Sequence, residues 1–176
     1  MTSIDAYQRG AATHCVVLRG SRGLRDGVGW WRNLPPMIER PRIRYAREPN
    51  LDVAEFRRVL VESGLGAIRP VDDEPRLRTM LANANLILTA RSELDNWLVG
   101  VARCVTDFSW CCYLSELAVC AAAQKLGVGR GLLEEARRHL GPSVTLMLAS
   151  VPDAAGFYER AEMARLPDVF CYRRER

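Results

Sequence analysis

The chain has 176 residues, of which 48% are hydrophobic and 26% charged, and this length and composition fit one compact, soluble globular domain with a sizeable core. The formal net charge of +4 at pH 7 lies mostly in residues 1–40, which carry +3, whereas residues 41–176 carry only +1. A nucleic-acid-binding domain usually shows a basic stripe, so the near-neutral charge of residues 41–176 argues against nucleic acid as a partner.

Residues 1–40 differ from the rest of the chain and are predicted to form an irregular N-terminal extension. They are rich in Gly and Arg, show no clean hydrophobic period and contain the pairs Trp30-Trp31 and Pro35-Pro36. The extension either packs on the surface or serves as a lid or dimer arm with the tryptophans as anchors. Residues 41–176 show no repeat and no internal boundary, so they are predicted to form a single domain.

The hydrophobic pattern of residues 41–176 predicts helices early, then a strand meander, then alternating strands and helices. In chain order the predicted elements are a strand at 43–45, a helix from Asp52 to a stop at Gly64, a helix opened by Asp72 and Pro75, strands at 86–90, 97–105 and 110–119, a helix after residue 131, a buried strand at 144–149, a helix from 150 to 161, and a strand at 169–173. Asp52 with Glu55 makes a capping box at the first helix.

A glycine-rich segment at residues 124–131, with the sequence QKLGVGRG, carries the clearest chemical signal. Gly127, Gly129 and Gly131 stand at alternate positions, which permits tight turns and the close approach of a ligand. A helix is predicted to follow, and free N–H groups at a helix N-terminus attract anions, so the segment is suited to a pyrophosphate. The alternative is a strand-to-helix turn that binds nothing.

Two nucleotide-binding motifs do not fit this segment. The dinucleotide fingerprint G-x-G-x-x-G, started at Gly127, needs glycine at position 132, where Leu132 stands. The phosphate-binding motif G-x-x-x-x-G-K-[ST] needs a lysine after its last glycine, but the one lysine of the chain, Lys125, precedes the first glycine of the segment. Both classes of nucleotide site are therefore excluded.

The pattern Gln124-x-x-Gly127-x-Gly129 resembles the Q/R-x-x-G-x-G/A pyrophosphate loop of the GNAT superfamily of acyl-CoA-dependent N-acetyltransferases. Downstream, the segment at 156–160 (GFYER) is similar to the end of a helix in that family at which a tyrosine approaches the sulfur of CoA. The resemblance covers roughly residues 42–173. It departs from the family at Met163 and Ala164, where glycine and phenylalanine are frequent.

The resemblance implies an α/β (α+β) fold with a twisted, mixed and mostly antiparallel sheet flanked by helices. Two parallel strands, at 112–119 and 144–149, would splay apart and hold the pantetheine arm against the backbone of Leu117 and Val119. Acetyl-CoA is the implied cosubstrate, and no metal is expected. The residues implied to contact the cofactor are Leu117, Ala118, Val119, Gln124, Lys125, Leu126, Gly127, Val128, Gly129, Arg130, Gly131 and Phe157.

The implied function is transfer of an acetyl group to a primary amine of a small molecule or peptide by direct attack in a ternary complex. Tyr158 is the predicted catalytic acid, acting through a hydrogen bond to the leaving thiolate, because a phenol pKa near 10 against a thiol pKa near 8.5 makes full proton transfer slightly uphill. The alternative is that Tyr158 is only a core aromatic. A non-catalytic acyl-CoA-binding or sensing module of the same fold is the competing function.

The general base and the acceptor site are less specified. Glu116 is the obvious carboxylate, but it has the opposite parity to Ser115 and Leu117, so only a β-bulge would turn it towards the cofactor. A solvated or helix-paired Glu is the alternative, and the amine could then lose its proton through ordered water. The acceptor pocket is expected between the connector at 65–71 and the segment at 105–113. Its candidate residues, each with an ordinary structural alternative, are Arg69, Asp107, Trp110 and Tyr113.

Cysteine and histidine usage bears on metal binding and location. The six cysteines form no C-x-x-C pair, and the two histidines, His14 and His139, are isolated, so no metal site is expected. Unpaired thiols are typical of a reducing compartment, and no apolar run approaches the ~20 residues of a membrane helix. We therefore expect a cytoplasmic protein without a membrane partner, and homodimerisation from the resemblance alone.

Overall fold

A computed structural model describes residues 42–174, so the predictions for the extension at 1–40 lie outside the described residues. The helices and strands alternate much as the hydrophobic pattern predicts. They are β1 (Ile43–Arg47), α1 (Val53–Glu62), α2 (Glu74–Ala82), β2 (Leu86–Ser92), β3 (Leu98–Thr106), β4 (Cys111–Val119), α3 (Val128–Leu140), β5 (Thr145–Met147) and α4 (Ala155–Arg160). A short 3-10 turn, Leu65–Ile68, lies between α1 and α2.

The five strands form one mixed sheet in the order β1-β2-β3-β4-β5. The first four are antiparallel neighbours, and β5 is parallel to β4. The parallel pairing covers only three residues of each strand, Cys111 to Tyr113 against Thr145 to Met147. Beyond Tyr113 the two strands are no longer paired, which leaves a gap in the sheet. The α/β fold with a parallel pair that separates is therefore confirmed.

Each face of the sheet is covered by its own layer of helices and its own hydrophobic core. Helix α3 packs on one face, where Leu132 and Ala136 are fully buried against β2, β3 and β4. Helices α1 and α2 pack on the other face, where Phe56 and Leu77 are fully buried. Burial of these apolar side chains on both faces is the main force that holds the sheet in place.

The helix ends follow the predicted capping chemistry with two corrections. Asp52 caps α1 by accepting from the N–H groups of Ala54 (2.9 Å) and Glu55 (3.0 Å). The carboxylate of Glu55 does not complete a capping box, because it binds the guanidinium of Arg91 in β2. Helix α2 is capped by Asp73 rather than by Asp72.

The C-terminal strands differ most from the prediction. Strand β5 has three residues, is the last strand of the described sheet and is not buried. The strand predicted at 169–173 is wrong: within residues 42–174 this segment makes no backbone hydrogen bond to a strand, and Phe170 and Tyr172 are exposed. Alternating apolar residues form a strand only where a neighbouring strand satisfies their backbone groups.

The helices and the polar side chains of residues 42–174 bear on membrane and metal binding. None of the helices combines the length and the apolar composition needed to cross a bilayer. In the same part of the chain, no group of three or more His, Cys, Asp or Glu side chains is placed to hold a metal ion.

Candidate active site

Strand β4 contains a β-bulge that decides which of its side chains face each helix layer. Ser115 is the extra residue, because Leu114 and Glu116 are opposite adjacent residues of β3. Leu114 packs on the α3 side before the bulge, and Leu117 packs on that same side after it. In a regular strand these two residues would lie on opposite faces, so the bulge reverses the parity of the second half of β4.

The bulge turns Glu116 away from α3 and into the layer of α1 and α2. The Glu116 side chain is only 2% exposed. Its Oε1 lies 2.8 Å from Nε of Arg69, and its Oε2 accepts a hydrogen bond from Nε of Arg103. The Ser115 hydroxyl donates to Oε1 at 3.0 Å. Glu116 is therefore neither solvated nor paired with a helix, and its two arginine partners favour a structural role over that of a general base.

A cleft of about 910 Å³ opens where β4 and β5 separate. Its walls come from the 3-10 turn and the connector after it, from α2, from β4 on both sides of the bulge, and from the segment between β5 and α4. Of the four residues predicted at the acceptor pocket, Arg69 and Tyr113 lie in these walls, whereas Asp107 and Trp110 do not.

Asp107 instead shapes the turn between β3 and β4. Its Oδ1 accepts from the N–H groups of Trp110 (2.8 Å), Ser109 (2.9 Å) and Cys111 (3.1 Å). These backbone hydrogen bonds, that of Trp110 first, lower the pKa of Asp107 to about 2. The Trp110 side chain is 78% exposed at the tip of the turn. The ordinary structural alternative is thus the one that the geometry favours for Asp107.

Tyr158, on α4, lies in the wall of the cleft and is half-buried. It packs against the α3-side core and meets the ring of Phe157 edge to face, with centroids 5.0 Å apart. Burial raises the pKa of the Tyr158 phenol above its ordinary value of 10.0, so the hydroxyl is protonated at neutral pH. No other residue of the described range hydrogen-bonds to that hydroxyl, which is thus available as a donor inside the cleft.

The glycine-rich segment is fastened to the end of β4. The Gln124 side chain donates from Nε2 to the carbonyl of Val119 at 2.9 Å and to that of Ser63 at 3.4 Å. Lys125 and Gly127 both have positive φ, at 63° and 87°, so the chain turns sharply twice before α3 begins. Gln124 therefore shapes the segment, and its amide nitrogen is directed at protein carbonyls.

Backbone N–H groups make up the exposed chemistry of this segment. Helix α3 starts at Val128, so residues 128–131 form its first turn rather than a loop. The N–H of Gly131 donates to the carbonyl of Gly127 at 2.9 Å. Within the described range, the N–H groups of residues 125–130 have no acceptor. These six successive donors lie before and within the first turn of a helix, and free N–H groups in such a place can bind an anion.

The three glycines serve different purposes. Only Gly127 has the positive φ of a turn glycine, and an added Cβ there would meet no atom within 4 Å. A Cβ at Gly129 would lie 3.2 Å from the ring of Phe157, and one at Gly131 would lie 2.3 Å from that of Tyr45. Gly129 and Gly131 are therefore packing glycines, and the prediction that all three permit tight turns is wrong for these two.

The separated part of β4 turns one side of its backbone towards the gap, where the carbonyl of Val119 already accepts from Gln124 at 2.9 Å. The N–H of Cys120 donates to Val99 of β3 at 2.9 Å, so by the alternation of an antiparallel ladder the backbone groups of Leu117 and Val119 point away from β3 and into the gap. The Ala118 side chain, by contrast, is buried in the core under α1 and α2.

The remaining predicted cofactor residues contribute through their backbone or lie at the surface. Val128 is buried in the α3-side core, and Leu126 packs against that core. The Arg130 side chain is exposed and is paired with Glu134 at 2.9 Å. Phe157 packs over Gly129 at the start of α3. The segment therefore presents amides, and its side chains mainly hold those amides in place.

The comparison with protein families assigns the chain. The model described as the Acetyltransferase (GNAT) family matches residues 54–163, which is more than half of the chain. The chain belongs to the GNAT acetyltransferase family. The matched range contains β4, the glycine-rich segment and α4. A search of curated protein sequences gave no match.

Solved GNAT structures share the fold at low sequence identity. A GNAT family acetyltransferase from Streptococcus pneumoniae is 18% identical with a TM-score of 0.62, covering 76% of this chain and 100% of that one. An aminoglycoside acetyltransferase from an uncultured soil metagenomic sample, solved with sisomicin, is 18% identical with a TM-score of 0.58, covering 76% of this chain and 97% of that one. Glucosamine-6-phosphate N-acetyltransferase from Arabidopsis thaliana is 12% identical with a TM-score of 0.54, covering 76% of this chain and 99% of that one.

One residue of this GNAT site was missed by the sequence analysis. Arg103 lies in the middle of β3 among apolar residues, donates to Glu116 from Nε, and donates from Nη1 to the carbonyl of Met80 at 3.0 Å. A buried charge is costly unless it is paired, so an arginine within an apolar strand signals a nearby carboxylate. Glu116, the one acid of β4, was the available partner.

Proposed function

We propose that the protein transfers an acetyl group from acetyl-CoA to a primary amine of a small molecule or peptide, by direct attack in a ternary complex. The observation that carries this proposal is the run of free N–H groups at residues 125–130, placed at the end of the gap between β4 and β5. Successive free amides beside a helix N-terminus suit the two negative charges of a pyrophosphate.

The gap itself fits the pantetheine arm. The backbone groups of Leu117 and the N–H of Val119 point into it, and an amide-containing chain laid along β4 would pair with them as a further strand does. The carbonyl of Val119 is already held by Gln124. Phe157 and Leu117 supply apolar surface beside this path. The residues present thus fit an acyl-CoA whose thioester reaches the cleft.

Tyr158 is the residue that we propose to act on the leaving group. When the amine nitrogen bonds to the acetyl carbon, the carbon–sulfur bond breaks and the electron pair stays on sulfur as a thiolate. A protonated phenol at the cleft wall would donate a hydrogen bond to that sulfur and stabilise the charge. The proton of the amine passes to water, since Glu116 is occupied by two arginines.

The acceptor is proposed to be a small amine. Two structural neighbours are described as acting on an aminoglycoside and on glucosamine 6-phosphate, both small molecules with amino groups. We also propose that residues 41–176 form the catalytic domain and that residues 1–40 are an extension. The protein is further proposed to form a homodimer, and light scattering would test this by measuring its mass in solution.

Calorimetry with acetyl-CoA, followed by a panel of amines monitored through CoA release, tests the proposal. We expect binding of acetyl-CoA and amine-dependent release of CoA, with the acetyl group recovered on the amine by mass spectrometry. Binding without release for every amine would contradict the proposal and favour the acyl-CoA-binding or sensing module instead.

A further inference from the structure

The cleft carries an excess of positive charge that the transfer reaction itself does not require. Four arginines line it, and among residues 42–174 the only acid in its walls is Glu116. The four arginines are Arg69, Arg76, Arg103 and Arg174. At neutral pH the described walls therefore carry a formal charge of +3.

Two of these arginines are held in place by protein partners. Arg69 donates to the carbonyl of Ser115 at 2.9 Å as well as to Glu116. Arg103 donates to the Ser115 hydroxyl at 2.9 Å as well as to Glu116. One carboxylate between two guanidinium groups leaves the cluster with one uncompensated positive charge. This charge is largely buried, so water screens it less than it would a surface charge.

Arg76 is the arginine with a free head group. It lies in α2, is exposed and lines the cleft, and within the described range its side chain makes no hydrogen bond or salt bridge. Arg78, two residues along the same helix, is different: it pairs with Glu74 at 2.6 Å and does not line the cleft. A guanidinium can bind a carboxylate or a phosphate through two parallel hydrogen bonds.

The positive charge of the cleft is distinct from the proposed pyrophosphate site. Residues 124–131 do not line the cleft, and the donors there are backbone amides rather than side chains. The arginines line instead the same cleft as Tyr158, which is where we propose that the acceptor reaches the thioester. Their field also favours the neutral, nucleophilic form of an amine placed among them, because nearby positive charges lower an amine pKa.

From this geometry we propose that the acceptor is an amine that also carries a carboxylate or phosphate group, with Arg76 binding that anion. This inference rests on the proposed acetyltransferase function and names its substrate class. The anion would be attracted to the +3 walls, while a polyamine or a polycationic aminoglycoside would be repelled. The buried pair of Arg69 and Arg103 supplies the field, and Arg76 supplies the contact.

Matched acceptors test the proposal: glucosamine 6-phosphate against glucosamine, an L-amino acid against its amide, and spermidine as a polycation. We expect kcat/KM to be at least tenfold higher for the anionic member of one pair, and lowest for spermidine. The pair with the larger ratio distinguishes a phosphate from a carboxylate.

In the variant Arg76→Gln, the kcat/KM ratio of the anionic acceptor to its uncharged partner should fall about tenfold. Most of this change should be a higher KM for the anionic acceptor, while the KM of acetyl-CoA stays unchanged. Arg78→Gln, on the same helix but outside the cleft, should leave the preference as it is. Three results would overturn this inference but leave the transferase proposal standing. They are equal kcat/KM for the paired acceptors, a preference for spermidine, and a raised KM for acetyl-CoA in Arg76→Gln. CoA release with none of the amines would overturn the transferase proposal and this inference with it.

Discussion

The proposed donor and acceptor sides of the site are built from different materials. The donor side, at residues 117–131, presents backbone amides and lies in one continuous stretch of chain. The acceptor side presents side chains from separate segments, with Arg76 from α2, Arg103 from β3 and Glu116 from β4. A site made of backbone groups tolerates many side-chain substitutions but few changes of backbone conformation. A site made of side chains depends on the identity of each residue that contributes to it.

Loss of Glu116 should give the largest effect and would test whether the acceptor wall is held by its ion pairs. Glu116→Ala leaves Arg69 and Arg103 without their carboxylate, so we expect the free energy of unfolding to fall by about 3–5 kcal/mol, as measured by urea denaturation. The control Glu74→Ala breaks an exposed pair and should cost about 0–1 kcal/mol. A stable Glu116→Ala protein that has lost only kcat would identify Glu116 as the base.

Tyr158→Phe removes one hydroxyl from the junction of the two sides. We expect kcat to fall by about ten- to a hundredfold, the value of one hydrogen bond to a charged group, with little change in the KM of acetyl-CoA. Steady-state kinetics measure both constants. Tyr172→Phe, at a fully exposed tyrosine, is the matched control and should behave as the parent protein. Equal kcat for Tyr158→Phe and the parent would refute the assignment.

Gly127→Ala tests the dependence of the donor side on backbone conformation. At φ of 87° a Cβ costs about 1–2 kcal/mol, and any relaxation would misalign the amides at 125–130, so the KM of acetyl-CoA should rise about tenfold. Gly64→Ala is the control, because Gly64 has nearly the same φ, 83°, at the end of α1. The free energy of unfolding should fall by a similar amount in the two variants. If the KM of acetyl-CoA rose equally in both, the rise would not come from the amides at 125–130.

The pH dependence gives the smallest expected effect. Since burial raises the pKa of Tyr158 above 10.0, the phenol stays protonated from pH 6 to pH 9. The kcat ratio of the parent to Tyr158→Phe should therefore be constant over this range, even as both rates rise with deprotonation of the acceptor amine. A ratio that falls as pH increases through 7 or 8 would mean that the phenol titrates there and that its pKa is lowered instead.

Local signals account for the part of the fold that was predicted. Asp52 and Gly64 bound α1 as their capping preferences predict, because a cap is satisfied by residues two to four positions away. The strand at 169–173 was predicted wrongly for the complementary reason, since pairing needs a neighbour that periodicity does not reveal. The same limit applies to β5, whose burial depends on what lies beside the sheet.

The features of the site likewise differ in whether local sequence or tertiary packing specifies them. By itself the sequence identified the family, and it predicted the glycine-rich segment and Tyr158 as site residues, because each belongs to a short and recognisable run of residues. Only the tertiary structure decided that Ser115 is a bulge, that Glu116 lies between Arg69 and Arg103, and that Arg76 faces the same cleft. These side chains are brought together from distant positions by the packing of helices on the sheet. Arg103 within an apolar strand indicates that a carboxylate lies nearby, but no local pattern gives the arrangement of the whole group.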